Sequence, residues 1–134
     1  MAQRYGNVVG QKYPIQTTVL VPCTKNADKP ITKQACRKRA NVMSSEMTRM
    51  FGGYTSSNVT GGYYSKKKKK IIREPVIRVT SYSTKKDYKR NKGKFLRYVA
   101  KKGKTWGQEE MGVIIENDLI YLGRVKKWKD KQNT

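Results

Sequence analysis

The chain has 134 residues, of which 31 are Lys or Arg, nine are Asp or Glu and none is His, for a formal net charge of +22 at pH 7. This length fits one domain with its own modest core. The missing histidine excludes a Ser-His dyad, a histidine general base and the HUH-type metal site of mobile-element nucleases. No apolar run approaches the roughly 20 residues of a membrane-spanning helix, and the first twenty residues lack a signal-peptide core. The expected location is therefore cytoplasmic, and Cys23 and Cys36, the two cysteines, do not suggest a disulfide scaffold.

Residues 1–12 carry glycine breaks and no sustained period, which predicts an extended arm. Ile15, Thr17, Val19 and Val21 alternate on one face of a strand that Pro22 closes. After a polar loop over 24–31 the period changes. Cys36, Ala40, Met43, Met47 and Met50 recur three and four apart, which predicts a helix from about Thr32 to Phe51 ended by Gly52-Gly53. Residues 54–60 read as a loop, and Gly61 to Ser65 as a short second strand. The stretch from Ile71 to Tyr82 reads as a third, with Pro75 at an edge or bulge. Lys66 to Lys70 then form the tip of a long hairpin.

Thr84-Lys85-Lys86-Asp87 matches a capping box and opens a second helix to about Lys102, with Tyr88, Phe95 and Val99 on its inward stripe. Met111, Val113 and Ile115 alternate in a fourth strand. A tight turn at Asn117-Asp118 leads to a fifth over 119–122, and a basic tail over 124–134 carries Trp128. The order β-α-β-β-α-β predicts an α+β fold, a ferredoxin-like plait with an added C-terminal hairpin strand and basic termini. A single domain over 13–123 follows.

The motifs Met50-Phe51-Gly52-Gly53-Tyr54-Thr55, Gly62-Tyr63-Tyr64, Glu74-Pro75-Val76 and Gly107-Gln108-Glu109 resemble a pattern in a set of uncharacterised small bacterial and phage proteins. The resemblance spans about residues 13–122 and implies fold more than function. The lysine density here departs from that set.

That density is the main functional signal in the sequence. Residues 66–104 hold 17 Lys or Arg and two acids, Glu74 and Asp87. Solubility asks for a net charge of only about 2–8 on a small domain. Cations that lack acidic partners repel one another until a polyanion arrives, and phosphate contacts release counterions. The candidate nucleic-acid contacts are Lys66, Lys67, Lys68, Lys69 and Lys70 at the hairpin tip, and Lys85, Lys86, Lys89, Arg90, Lys92, Lys94, Arg97, Lys101, Lys102 and Lys104 along the second helix. Arg37 and Arg39 on the first helix, and Lys126, Lys127 and Trp128 in the tail, complete the set. Trp128 either docks on the domain or stacks in RNA. Tyr63, Tyr64 and Tyr82 are possible stacking platforms, with packing the stronger reading.

The expectation that results is a non-catalytic nucleic-acid-binding accessory or structural protein of a ribonucleoprotein, with RNA favoured over DNA. Its partners would include other proteins of the same complex but no membrane, and it needs no cofactor or metal. A DNA-binding protein of a phage or mobile element, or a small metal-dependent nuclease using Glu116 and Asp118, stands as the alternative.

Overall fold

A computed structural model describes residues 2–26 and 29–123. Ala2–Tyr5 (β1) and Val8–Gln11 (β2) form a small antiparallel hairpin that pairs only with itself. Ile15–Pro22 (β3) follows. Thr24–Lys25 (β4) and Lys29–Pro30 (β5) make a second small hairpin, and Lys33–Phe51 (α1) comes next. Thr55–Ser65 (β6), Lys70–Ser83 (β7), Lys85–Thr105 (α2), Glu110–Ile115 (β8) and Asp118–Gly123 (β9) complete the chain order. β6, β7, β3, β8 and β9 lie in that order in one antiparallel five-stranded sheet. The fold is α+β.

The central strand is the most buried one. Val19 and Val21 are fully buried and point to the same side as Val79 of β7 and Val113 of β8, their neighbours in register. Both helices cover that side. α1 contributes Ala40, Met43, Met47, Met50 and Phe51, and α2 contributes Phe95 and Val99. Phe95 is fully buried and meets Phe51 edge-on at 5.4 Å. Replacing it with Ala should destabilise the protein by about 3–5 kcal/mol, since the ring's contacts are lost and the cavity collapses only partly. A denaturant midpoint lowered at unchanged slope would register that loss.

Local signals set the helix ends. Thr32 Oγ1 accepts from the Ala35 amide, and Gly52 closes α1 at φ 104° with its N–H on the Thr48 carbonyl. Thr84 Oγ1 likewise accepts from the Asp87 amide at 3.1 Å. The Asp87 carboxylate does not return to the helix start as a full capping box would. It pairs with Arg90 at 2.9 Å instead.

Five expectations change. Residues 1–12, read as an extended arm, contain the β1–β2 hairpin, and residues 24–31, read as a loop, contain the β4–β5 hairpin. Residues 55–60, read as loop, are strand: β6 pairs with β7 from Thr55 to Ser65. Their polar, exposed side chains hide a strand that is specified by its partner, because an edge strand needs no apolar face. The β8–β9 turn centres on Glu116 and Asn117, both at positive φ, one residue earlier than expected. Finally, Cys23 and Cys36 are joined in a disulfide, with Cα atoms 5.1 Å apart. Thirteen residues separate them in sequence, so only the return of α1 over the end of β3 brings them together. Among the described residues, no helix is long and apolar enough to cross a membrane.

Candidate functional site

The helix-free side of the sheet carries a cleft of about 800 Å³ where β3 ends and β8 begins. The register explains its walls. Leu20, Gly112 and Tyr121 project to this side from neighbouring strands, as do Gly61, Tyr63, Glu74 and Val76 from β6 and β7. The turn before β8 supplies Gly107, Gln108 and Glu109, and β8 itself begins with Glu110.

Glycines make the space. At Gly112 a Cβ would stand 3.2 Å from Leu20 Cδ1, and at Gly61 one would stand 3.3 Å from Val76 Cγ2. Gly107 adopts φ +70°, a conformation that favours glycine, and its carbonyl accepts from the Asn26 amide at 3.2 Å.

The polar groups of the cleft are tied to one another. Thr24 Oγ1 donates to Glu74 Oε2 at 3.2 Å. Gln108 Nε2 donates to the carbonyls of Thr24 at 2.7 Å and Trp106 at 3.1 Å. The Glu74 carboxylate is therefore held half-buried on the wall instead of being left as a loose surface charge.

The charge of this cleft opposes that of the chain. Three of the nine acids, Glu74, Glu109 and Glu110, line it, and none of its described lining residues is Lys or Arg. Glu109 and Glu110 make contacts of their own, and Glu74 is held by Thr24. A cation suits the Glu74 carboxylate; a phosphate does not.

The basic residues singled out in the sequence lie elsewhere. Lys66 to Lys69 form the β6–β7 turn and Lys70 starts β7, all exposed. Lys85, Lys86, Lys89, Arg90, Lys92, Lys94, Arg97, Lys101 and Lys104 are exposed on α2, and Lys102 is half-buried with its ammonium 5.6 Å from the Tyr98 ring. Lys92 sits 5.9 Å from the Tyr88 ring. Arg37 borders a separate cleft with Lys33. Arg39 is turned inward onto backbone carbonyls. Lys126, Lys127 and Trp128 lie outside the described residues. Among the nuclease candidates, Glu116 lies in the exposed β8–β9 turn and Asp118 begins β9, and the described residues hold no cluster of three or more metal-ligating side chains.

Composition and charge pointed away from Glu74, Gln108 and Tyr121. Short motifs did carry a signal. Gly62-Tyr63, Glu74 with Val76, and Gly107-Gln108-Glu109, taken from three separate motifs, converge on the same cleft. Gly52-Gly53-Tyr54 does not join them; it caps α1 and borders a hollow of about 290 Å³ beside Tyr13 and Tyr82.

No family model matches the chain, and no curated protein matches it. Among solved structures, a phage SAM lyase in complex with S-methyl-5'-thioadenosine shares the fold at TM-score 0.57 and 13 % identity, over 82 % of this chain and 89 % of that one. A phage SAM lyase in the apo state matches at TM-score 0.56 and 12 % identity, over 83 % of this chain and 90 % of that one. At these identities the likeness is one of fold, and both matched structures are of an enzyme. It overturns the expectation of a non-catalytic RNA-binding protein of a ribonucleoprotein, along with the DNA-binding alternative. The missing histidine excludes only imidazole chemistry, not catalysis in general. The lysine surplus lies on the outer surface of α2 and at the hairpin tip, outside the described residues that line the cleft.

Proposed function

We propose that this chain is a lyase acting on S-adenosylmethionine or a close adenosyl sulfonium, and that the cleft around Glu74 is its active site. The observation that carries this reading is a cleft with the half-buried Glu74 on its wall and no Lys or Arg among its described lining residues, set in a fold shared with SAM lyases. A volume of about 800 Å³ lies within the range of small-molecule pockets. The half-buried Glu74 carboxylate is suited to a sulfonium, and Tyr63 and Tyr121 offer aromatic faces to the adenine or the cation.

The chemistry asks little of the protein. The bond between sulfur and the γ-carbon of the methionyl arm breaks, and its electron pair stays on sulfur. The cationic sulfonium thereby becomes the neutral thioether S-methyl-5'-thioadenosine. The four-carbon fragment is satisfied either by its own carboxylate, which bonds to the γ-carbon, or by loss of a β-carbon proton to solvent, the C–H electron pair forming the new double bond. Neither route consumes water or needs a histidine. Orientation of the substrate's arm in a half-enclosed site is the main demand, and fixed geometry of that kind can supply much of a barrier reduction.

We also read the strand order β6-β7-β3-β8 as a ferredoxin-like plait extended at one edge by β9. On this reading the bacterial and phage proteins that share the Gly-Tyr-Tyr, Glu-Pro-Val and Gly-Gln-Glu motifs share the cleft as well.

Incubation of the purified protein with S-adenosylmethionine, followed by chromatography, tests the proposal. S-Methyl-5'-thioadenosine should accumulate in proportion to enzyme and time. Accumulation no faster than spontaneous breakdown would refute it.

A further inference from the structure

Arg39 does not line the cleft, yet it grips both chain segments that build its wall. From the half-buried side of α1 its Nη1 donates to the carbonyls of Pro22 at 2.6 Å and Thr24 at 2.9 Å. Its Nη2 reaches the Trp106 carbonyl at 3.5 Å, and the guanidinium carbon lies 5.3 Å from the centroid of the Trp106 ring. Two of these carbonyls, Thr24 and Trp106, also receive Gln108 Nε2, a group of the cleft itself. Thr24 in turn donates its hydroxyl to Glu74. One planar cation thus closes a chain of contacts from α1 through the end of β3 and the α2–β8 turn to the carboxylate.

We propose that Arg39 is the positioning residue of the cleft, fixing Thr24 and Gln108 so that Glu74 is held in one place. The shape of the guanidinium matters as much as its charge. A fork can serve separate carbonyls while its plane lies against an indole, whereas an ammonium offers one compact centre and no plane. Burial lowers the Arg39 pKa, as desolvation of a cation must, but a guanidinium stays charged throughout the working range. The residue's loss would leave carbonyl groups without their shared donor, while the core of α1, built on Ala40, Met43 and Met47, would remain.

The activity readout rests on the lyase reading; a second readout does not. S-Adenosylmethionine cleavage is measured for the wild type, Arg39→Ala and Arg39→Lys, each with and without guanidinium chloride well below denaturing levels, against sodium chloride of equal ionic strength. Rates are expressed per folded molecule. Misplacement of a site by an ångström can cost on the order of 10²-fold, so kcat should fall about 10- to 100-fold in both variants, with a smaller change in KM. Guanidinium should restore much of the loss in Arg39→Ala and none in Arg39→Lys, where the ammonium fills the gap. A kcat within about twofold of wild type in both variants, the scale of a neutral substitution, would overturn the proposal.

Amide hydrogen exchange at Asn26 and Gln108, whose N–H groups bond to Gly107 and Gly103, supplies the second readout. Exchange there should quicken in Arg39→Ala and slow again with guanidinium; unchanged exchange would overturn the positioning role. If the wild type leaves S-adenosylmethionine intact, the lyase reading fails, and hydrogen exchange alone then decides the role of Arg39.

Discussion

Glu74→Gln should lower kcat/KM for S-adenosylmethionine cleavage by about 10²-fold. The substitution keeps the side chain's size and its ability to accept from Thr24, whose hydroxyl bonds to Glu74 Oε2. It removes the charge. Two unit charges 4 Å apart attract by about 4 kcal/mol at an effective dielectric constant of 20, and part of that is recovered by water entering the half-buried site. A net loss of about 2–3 kcal/mol corresponds to that hundredfold change. Glu74→Asp keeps the charge but shortens the reach, so it should fall between the two. The check is steady-state kinetics on all three proteins, with circular dichroism to establish equal folding. An unaffected Glu74→Gln enzyme would remove Glu74 from the site.

The second large effect concerns salt. S-Adenosylmethionine carries a sulfonium, an ammonium and a carboxylate, hence a net positive charge, and it must approach a protein of +22. Long-range repulsion opposes that approach, while the carboxylates of the cleft attract only at short range. Added salt shortens the Debye length from tens of ångströms at about 0.01 M to about 8 Å at 0.15 M. Repulsion by distant lysines on α2 and the hairpin tip is then screened far more than attraction at contact inside the cleft. In the low-substrate regime kcat/KM should therefore rise, by about three- to tenfold between these salt concentrations. Most charge-steered enzymes lose rate with salt, so the sign is diagnostic. A rate that falls steadily as sodium chloride is added would mean that the substrate does not experience the chain as a cation does. The same argument assists turnover, because the thioether product has lost the sulfonium charge that the cleft attracts.

Much of the fold was legible in the sequence because it rests on periodicity. The Cys36–Met50 stripe, the strand over 15–22 and the caps at Gly52 and Thr84 all act within a few residues of themselves, and the structure contains them. β6 escaped because its residues gain their strand character from β7, a pairing that reaches from Thr55 to Thr80. The disulfide escaped for a similar reason, since no local pattern foretells that α1 will return over the end of β3.

The site was the least legible part. Charge is the loudest property of this sequence, and it drew attention to α2 and to Lys66–Lys70, which the structure leaves on the outside. The cleft is written in sparse residues, with Glu74 on β7, Gln108 in a turn and glycines on two strands and a turn, and only the sheet register brings them together. Arg39 shows the same limit from the other side. Read as a contact for an outside partner, its fork is occupied by the protein's own carbonyls.

Proton magnetic resonance of S-adenosylmethionine mixed with the protein tests the central claim most directly, because the S-methyl signal of a sulfonium and that of a thioether are well separated. The account predicts that the sulfonium methyl signal is replaced by that of S-methyl-5'-thioadenosine with wild-type protein, and far more slowly with Glu74→Gln. A sulfonium signal that decays at the same slow rate with wild-type protein, with Glu74→Gln and in buffer alone would contradict it.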